Sequence, residues 1–391
     1  MHYAHYFQDA LGRIHAENRY RTLRVQARDS GFPVIKLRDR LVPVTAWCGV
    51  DYLGLSQHPV LKNAMKAAID QYGVGSGGTR TIGGTHLLHA ELEQKLAAWH
   101  HQEAALLFST GYVANEATLA TLSTIIPDLV FLSDAENHMS IIEGIRHAKG
   151  QKIIFKHNDL ADLEAHLQKL KDQPKIIVFE SAYSMSGDLA PIAEIVALAQ
   201  KYNAMTFLDE VHAVGVYGQT GAGLSEATQT AKALTIIQGT LSKGLGLFGG
   251  YITASSEIVD AIRLNANGFI FTTSLPPALC AAGTAAIDYL QTHDTERIRL
   301  FAIADYLKAE FAKADIPLLP SQSQILPILI GNSTRCQAIA DRLLEEFNIY
   351  IQAVNYPTVR KGQERLRISP TALHTHEMAN ALVSALKTCL A

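Results

Sequence analysis

The sequence has little of what marks several broad classes of protein. Its four cysteines, Cys48, Cys280, Cys336 and Cys389, lie far apart without a Cys-x-x-Cys pair, which argues against a disulfide framework or a zinc site and favours a reducing compartment. No apolar run reaches membrane-spanning length, and no basic flank leads into an apolar segment of signal-peptide type. Lysine and arginine are scattered and the formal net charge is -3, so no polybasic stripe indicates nucleic-acid binding. We therefore expect a cytoplasmic protein that binds no metal, nucleic acid or membrane.

What the sequence does contain, from about residue 85, is an alternation of helical segments with short, almost continuous apolar runs. Runs of this kind are typical of parallel strands whose two faces are both covered by helices. They lie at residues 129–132, 152–155, 176–179, 205–208, 234–237 and 249–253. The pattern predicts a doubly wound α/β sheet, in which ligands gather at the carboxyl ends of the strands.

The order of the predicted helices and strands suggests that the chain has three parts. Residues 1–50 form an N-terminal helix and arm, with the helix predicted to run as far as Arg28, and residues 51–285 form the large α/β domain. The glycine cluster at 73–84 cannot be helical and lets backbone approach a ligand closely. Residues 286–391 form a smaller α+β domain. Its predicted elements are helices at 297–313 and 333–347 and strands at 325–330 and 350–352.

Lys243 carries the strongest local signal. It stands in a glycine-rich segment, 238–250, just after an apolar run, and Thr240 precedes it on the same loop. A lysine in such a setting can form a Schiff base with an aldehyde cofactor and then move protons, which is the chemistry of pyridoxal-5'-phosphate (PLP). The alternative is a surface lysine in a glycine-rich turn, which the flanking pattern disfavours.

Other polar residues at the ends of the apolar runs suit the same cofactor. Asp209 can pair with a protonated pyridine nitrogen, His212 can hydrogen-bond the phenolic oxygen, and His138 can stack on the ring. Taken alone, Asp209 could equally be a helix cap and His138 a structural histidine. The segment 109–112 opens a predicted helix whose amides form an anion site for phosphate.

Taken together, these segments resemble the α-oxoamine synthases, PLP enzymes of fold type I that condense an amino acid with an acyl-CoA and release CO2. Among them the chain is most similar to the 5-aminolevulinate synthases, and the resemblance runs from Phe7 to about His374. The matching stretches are 17–21, 47–49, 51–54, 77–80, 142–146, 155–159, 209–215, 268–273, 355–358 and 364–367. The resemblance implies a large domain with a mainly parallel seven-stranded sheet, a small α+β domain, and an obligate homodimer with shared active sites.

The resemblance also implies roles for individual residues. Lys243, His138 and Asp209 would be catalytic, with Lys243 as the Schiff-base lysine and general base. The cofactor would be held by Gly111, Tyr112, His138, Ser184, Asp209, His212, Thr240 and Lys243, joined by Thr272 and Thr273 of the partner subunit. Arg367 would clamp the carboxylate of glycine. The acyl-CoA would face Arg21, Thr79, Ser133, Lys152 and Thr358.

The choice of acyl donor stays open at this point. Arg21 and Thr79 favour succinyl-CoA and hence 5-aminolevulinate, for heme and other tetrapyrroles or for a specialised pathway. Val50 and Thr81 stand where these synthases carry asparagine, and they favour a sister synthase that uses another acyl thioester. A third hypothesis, a non-catalytic partner subunit, is disfavoured by the retained Lys243. Gly244 stands where alanine commonly follows the lysine, a change that we expect to be tolerated.

Overall fold

The computed structural model describes residues 3–17, 19–27 and 32–391. Contacts between residues divide the chain into two compact units. The central unit comprises residues 50–184 and 188–297, and the terminal unit comprises residues 1–49, 185–187 and 298–391. The division into an arm, a large domain and a small domain at residues 50 and 285 stays a prediction.

The helices and strands of the described residues are as follows. The helices are α1 (Ala4–Ala16), α2 (Pro59–Tyr72), α3 (Leu87–Trp99), α4 (Gly111–Ile125), α5 (Met139–His147), α6 (Leu160–Leu170), α7 (Ile192–Lys201), α8 (Leu224–Ala227), α9 (Ser256–Asn265), α10 (Asn267–Ile270), α11 (Pro277–Thr292), α12 (Thr295–Lys313), α13 (Ser333–Phe347) and α14 (His376–Leu390). The strands are β1 (Gln26–Ala27), β2 (Val34–Leu37), β3 (Val44–Ala46), β4 (Ala104–Phe108), β5 (Val130–Asp134), β6 (Gln151–Phe155), β7 (Lys175–Glu180), β8 (Met205–Asp209), β9 (Ile236–Thr240), β10 (Gly250–Ala254), β11 (Leu326–Leu329), β12 (Ile349–Tyr350), β13 (Ala353–Val354) and β14 (Arg365–Ile368).

The central unit is built on one sheet, whose strand order within the described residues is β4-β10-β9-β8-β7-β5-β6. Neighbouring strands run parallel except where β10 pairs antiparallel with β4 and β9. Residues of β7 alternate between two apolar clusters, Ile176 and Val178 in one and Ile177 and Phe179 in the other. Because side chains of a strand point alternately to its two faces, both faces of the sheet are buried under helices. The predicted fold type, with a mainly parallel seven-stranded sheet, is confirmed.

All six predicted apolar runs overlap a strand of this sheet, whereas β4 was missing from the prediction. Its sequence, Ala-Ala-Leu-Leu-Phe, contains residues that favour helix as readily as strand, so a run of this length carries no clear signal. The glycine cluster at 73–84 contains no helix, as predicted.

The prediction of a helix as far as Arg28 is wrong. Helix α1 ends at Ala16, the described residues from Arg19 to Val25 have no regular structure, and Arg28 itself lies outside the described residues. No residue of α1 is buried, and an isolated helix without packing is marginal in water. Nothing therefore sustains the helix beyond its thirteenth residue.

The terminal unit contains two small sheets among its described residues, β1-β2-β3-β12 and β11-β14-β13. Its larger apolar cluster includes Trp47, Phe311 and Leu366. The helices predicted at 297–313 and 333–347 are confirmed as α12 and α13, and the two predicted strands overlap β11 and β12. In the part of the chain that the structure describes, no helix combines the length and apolar character needed to cross a bilayer.

Candidate active site

A polar cavity of about 160 Å³ lies at the carboxyl ends of β7, β8 and β9. Parallel strands deliver their C-terminal residues to one edge of the sheet, and the helices that follow them begin there. The residues that line the cavity are Thr110, Gly111, Tyr112, Asn115, His138, Ser140, Glu180, Asp209, Val211, His212, Thr240, Ser242 and Lys243. Seven residues of the predicted cofactor site are therefore brought together.

Lys243 belongs to a chain of three polar side chains. Its Nζ lies 3.0 Å from Nε2 of His212, and Nδ1 of the same imidazole lies 2.7 Å from the hydroxyl of Tyr52. Tyr52 is fully buried, and His212 is buried as well. The amine is therefore held at a fixed place by a ring that is itself fixed from behind.

The backbone after Lys243 passes very close to another loop. A Cβ atom added to Gly244 would lie 2.2 Å from the carbonyl oxygen of Val214, and one added to Gly215, where φ is +84°, would lie 3.0 Å from the Gly244 backbone. Real Cβ atoms do not approach other atoms as closely as 2.2 Å, so glycine at 244 does more than omit a methyl group. It lets the lysine-bearing loop lie directly against residues 214 and 215.

Asp209 ends β8 and is buried. One carboxylate oxygen accepts a hydrogen bond from Nδ2 of Asn115 at 2.7 Å, and the other accepts one from the backbone N–H of Val211 at 2.8 Å. A buried charge needs such partners. The orientation of this carboxylate is set by helix α4 as well as by its own strand.

His138 caps helix α5 at the mouth of the cavity. Its Nδ1 accepts from the backbone N–H of Ser140 at 3.2 Å, and its own backbone N–H donates to Oε1 of Glu180 at 2.6 Å. Partial burial lowers the pKa of His138, and the charge of Lys243 acts in the same direction, whereas Asp209 opposes it. The side chain of Tyr112 meets the imidazole edge to face, with the ring centroids 6.4 Å apart.

Glu180 is a buried carboxyl at the end of β7, directly beside Asp209 in the sheet register. Burial raises the pKa of Glu180 well above its usual range, and the neighbouring Asp209 raises it further. Two adjacent carboxylates in a buried site do not both ionise readily. This environment favours the protonated form of Glu180 over its carboxylate.

One side of the cavity is suited to bind an anion. Helix α4 begins at Gly111, and Oγ1 of its cap residue Thr110 accepts from the backbone N–H of Val113 at 3.1 Å. The hydroxyl of Thr240 donates to the carbonyl oxygen of Gly249 at 2.8 Å and also lies 2.8 Å from Oγ of Ser242. Because the proton of Thr240 goes to that carbonyl, Ser242 is the donor in the contact between the two hydroxyls, and both hydroxyl groups lie beside the helix terminus.

This set of groups suits a phosphorylated ring cofactor with an aldehyde and a basic ring nitrogen. The helix terminus and hydroxyls match a phosphate, the buried carboxylate of Asp209 matches a pyridinium, and the amine of Lys243 matches the aldehyde carbon. The side-chain oxygen of Asn115, which lines the cavity, is buried without a hydrogen-bond partner among the described residues. The residues present therefore fit PLP.

The remaining predicted residues of the central unit lie outside the cavity lining. Ser133 is buried and its Oγ accepts from Nδ2 of Asn137 at 2.9 Å, while Lys152 is exposed on the edge strand β6. Oγ1 of Thr79 lies 3.3 Å from Oγ1 of Thr81, so a polar group is kept where an asparagine was expected. The other three are Ser184, which is buried, Thr272, which is half-buried, and Thr273, which is exposed and forms an isolated β-bridge with Thr79.

Within the terminal unit, Arg21 and Thr358 come together although 337 residues separate them. Nη2 of Arg21 donates to Oγ1 of Thr358 at 3.0 Å and to the carbonyl oxygen of Asn355 at 3.5 Å. Arg367 is buried on β14, where its Nη1 donates to Oγ of Ser369 at 2.7 Å.

Several residues at the carboxyl end of the sheet were missing from the predicted site. These are Tyr52, Asn115, Ser140, Glu180 and Ser242. Glu180 carried a signal as a polar residue at the end of an apolar run, and Tyr52 and Ser242 lay in segments that were singled out for other reasons. All but Glu180 act through contacts between distant segments or, for Ser242, through a hydrogen bond to Thr240, and no local pattern reveals these.

One more histidine at this end of the sheet is strongly perturbed. His157 Nδ1 lies 2.8 Å from Oδ1 of Asp134, and Nε2 lies 2.5 Å from Oδ2 of Asp188. Burial favours the neutral imidazole, but the hydrogen bonds and charges of the two carboxylates outweigh it and raise the pKa of His157 to about 10. The segment 155–159 was recognised as a matching stretch, without a role for this residue.

Comparison with known proteins agrees with this geometry. Residues 42–386 match the family of class I and II aminotransferases. The 5-aminolevulinate synthase of Rickettsia bellii is 49% identical over 97% of this chain and 92% of its own, and that of Rhizobium meliloti is 49% identical over 99% and 96%. A serine palmitoyltransferase from S. paucimobilis, solved with bound PLP and myriocin, superposes with a TM-score of 0.87 at 29% identity over 93% of this chain and 92% of its own.

Proposed function

The chain belongs to the 5-aminolevulinate synthase family, and we propose that it is a PLP-dependent acyltransferase that condenses glycine with succinyl-CoA to give 5-aminolevulinate, CoA and CO2. The observation that carries the proposal is the placement of Lys243, His212 and Asp209 around one cavity, in a chain that is 49% identical to the relatives over nearly its whole length. Formation of 5-aminolevulinate is a step toward heme and other tetrapyrroles.

PLP would supply an electron sink for the carbanions that arise when a bond at the glycine α-carbon breaks. Lys243 would hold the aldehyde carbon, and Asp209 would keep the ring nitrogen protonated. Asn115 supports the charge of Asp209 at 2.7 Å. The phosphate would be held by the N–H groups at the start of α4 and by Ser242 and Thr240.

Proton transfer at the glycine α-carbon falls to Lys243. Its Nζ is the general base, because a neutral amine carries a lone pair that can take up the proton. Nε2 of His212, 3.0 Å from Nζ, positions the amine before that step. His138 would cover the ring and exclude water, with its position fixed by Glu180 and Ser140. Arg367 would pair with the glycine carboxylate through its planar fork.

For the acyl donor, Arg21 supplies the positive charge that suits the distal carboxylate of succinyl-CoA. Its hydrogen bond to Thr358 orients that charge. In the central unit, Thr79 and Thr81 would offer two hydroxyls to the acyl donor, and the hydroxyl of Thr81 would serve in place of the missing amide. Ser133 and Lys152 would contact the CoA portion.

The proposal includes a homodimer in which Thr272 and Thr273 of the partner subunit reach the phosphate. Ile82 is 91% exposed and Phe271 is 78% exposed, in the segments that carry Thr79 and Thr273. Apolar side chains this exposed favour coverage by a second copy. Light scattering is expected to give twice the monomer mass, and Ile82→Asp with Phe271→Asp is expected to shift the protein to a monomer that binds PLP poorly. We also propose a cytoplasmic location, which the four cysteines support because none of them forms a disulfide within the described residues.

The decisive experiment identifies the product. Purified protein is incubated with glycine and an equimolar mixture of succinyl-, acetyl- and octanoyl-CoA, and the aminoketones are identified by mass spectrometry. We expect 5-aminolevulinate to dominate. A different dominant aminoketone would favour the sister synthase, which Val50 still supports, and absence of any product would favour the non-catalytic subunit. Borohydride reduction followed by peptide mapping is expected to attach PLP to Lys243.

A further inference from the structure

Tyr52 has no role in the reaction as proposed so far, although it ends the polar chain that starts at Lys243. Its hydroxyl lies 2.7 Å from Nδ1 of His212, whose Nε2 lies 3.0 Å from Nζ of Lys243. The side chain of Tyr52 is fully buried, so bulk water does not compete for this hydrogen bond. The imidazole of His212 therefore connects the buried phenol of Tyr52 to the amine of Lys243.

In an imidazole, the hydrogen bond made by one ring nitrogen determines whether the other nitrogen carries the proton. In the neutral ring one nitrogen carries the proton and the other accepts a hydrogen bond, so a partner on one side decides what the other side offers. A phenol is a good donor and an imidazole nitrogen is a good acceptor. When Tyr52 donates to Nδ1, the proton of His212 must stand on Nε2. Nε2 then donates to Nζ of Lys243 in this structure and would donate to the phenolic oxygen beside that nitrogen when PLP is bound. Either hydrogen bond favours the unprotonated nitrogen of Lys243 over its protonated form.

We propose that Tyr52 is a positioning residue that acts through His212 to keep the nitrogen of Lys243 unprotonated and available. The inference rests on the proposed function and adds a regulator of proton affinity to its general base. Tyr52 itself touches neither substrate nor cofactor in this scheme. Its effect passes through the tautomer and orientation of His212.

The protein contains a matched pair that serves as a control. The hydroxyl of Tyr251 lies 2.9 Å from Nε2 of His100, and both side chains are buried in the central unit. Nδ1 of His100 has no hydrogen-bond partner among the described residues, so this second pair ends there. Burial, reinforced by His101, lowers the pKa of His100 to about 3, which keeps its ring neutral. Tyr251→Phe thus removes the same chemical group from the same kind of contact without reaching Lys243.

The test is a pH titration of the visible absorbance of PLP bound in the holoenzyme, without substrate, for the wild type, Tyr52→Phe and Tyr251→Phe. Loss of the Tyr52 hydroxyl is expected to raise the midpoint by about one pH unit, which corresponds to one hydrogen bond of ordinary strength. Tyr251→Phe is expected to leave the midpoint unchanged. In a His212→Asn background, adding Tyr52→Phe is expected to cause no further shift, because the connecting ring is gone.

Coincident midpoints for Tyr52→Phe and the wild type would overturn the inference and leave the proposed function intact. Absence of a PLP band at Lys243 in the wild type would instead overturn the proposed function. If Tyr52→Phe does not fold, nitrogen-15 NMR of histidine-labelled wild-type protein, with the signal assigned by His212→Asn, decides the question. A proton on Nε2 and a bare Nδ1 are expected, and the reverse tautomer would contradict the proposal.

Discussion

The two ends of the central sheet differ in the burial of the charged side chains that lie there. The amino ends of β5, β6 and β7 border an open cavity of about 900 Å³, which is lined by Lys149, Lys169 and Lys171 among others, all exposed to solvent. The carboxyl ends border a cavity of about 160 Å³ that contains buried Asp209 and Glu180 as well as Lys243. The smaller cavity therefore contains buried ionisable side chains, whereas the charged side chains that line the larger cavity are exposed.

The difference lies in desolvation. An exposed lysine is hydrated, and salt screens its charge from other groups. At the carboxyl end, burial raises the pKa of Glu180, and two carboxylates raise that of His157. Perturbed groups of this kind cluster where catalysis is performed. Volume alone therefore says little about where a reaction takes place.

The comparison is sharpened most by removing one lysine from each end. Lys243→Ala is expected to lower the turnover of glycine and succinyl-CoA by at least about a thousandfold, because both the anchor and the general base are lost. Lys169→Ala removes an exposed lysine from α6 at the opposite end and is expected to leave turnover unchanged. Release of CoA measures both. Comparable losses in the two variants would break the contrast between the ends.

A smaller effect is expected on stability when His157 is replaced. Its folded pKa of about 10 lies above the unfolded value of about 6.5, so its contribution is fully present below pH 6.5 and is lost as the pH rises toward 10. His157→Gln is expected to cost about 2 kcal/mol near pH 6, since Asp134 and Asp188 lose their shared cation. The difference from wild type should shrink steadily as the pH rises, as followed by urea unfolding.

The matched control is His166→Gln, at a histidine on α6 whose Nε2 lies 3.7 Å from Asp162. It is expected to change the unfolding free energy by less than about 0.5 kcal/mol. A constant difference between His157→Gln and wild type across the pH range would mean that the imidazole is not held as a cation.

The smallest expected effect concerns Glu180, where two substitutions distinguish the role of its hydrogen bond from the role of its charge. Glu180→Ala releases the backbone N–H of His138 and is expected to lower kcat/KM about tenfold, by loss of one hydrogen bond. Glu180→Gln keeps an acceptor oxygen and no charge, like the protonated acid, and is expected to stay within about twofold of wild type. Circular dichroism of bound PLP reports the ring environment independently. Equal damage by glutamine and alanine would show that Glu180 acts as an anion.

Much of this organisation could be predicted from the sequence. Strands buried on both faces leave continuous apolar runs, and the polar residues that end them, such as Asp209 and Thr240, mark the functional edge. Local segments also predicted site roles for Lys243, His138 and the start of α4, which line one cavity in the structure. Helix α1 was overextended because periodicity does not report whether a helix has a surface to pack against.

Contacts between distant segments could not be predicted from the sequence. Tyr52 and His212 are 160 residues apart, and Asn115 and Asp209 are 94 apart. Neither tyrosine nor asparagine is rare enough for one position to stand out. The contact between Tyr52 and His212, on which the proposed effect on Lys243 depends, is therefore recognised only in the folded structure.

The contact between Gly244 and the backbone at 214–215 bears on how this enzyme could be re-engineered. Segments exchanged between homologues are usually chosen by sequence blocks, and a block carrying Lys243 together with an alanine at 244 would collide with the Val214 carbonyl oxygen in this scaffold. An exchange that brings in alanine at 244 therefore also needs room for the two loops to move apart. A variant library that covers both loops offers that freedom, whereas a library that covers one loop does not.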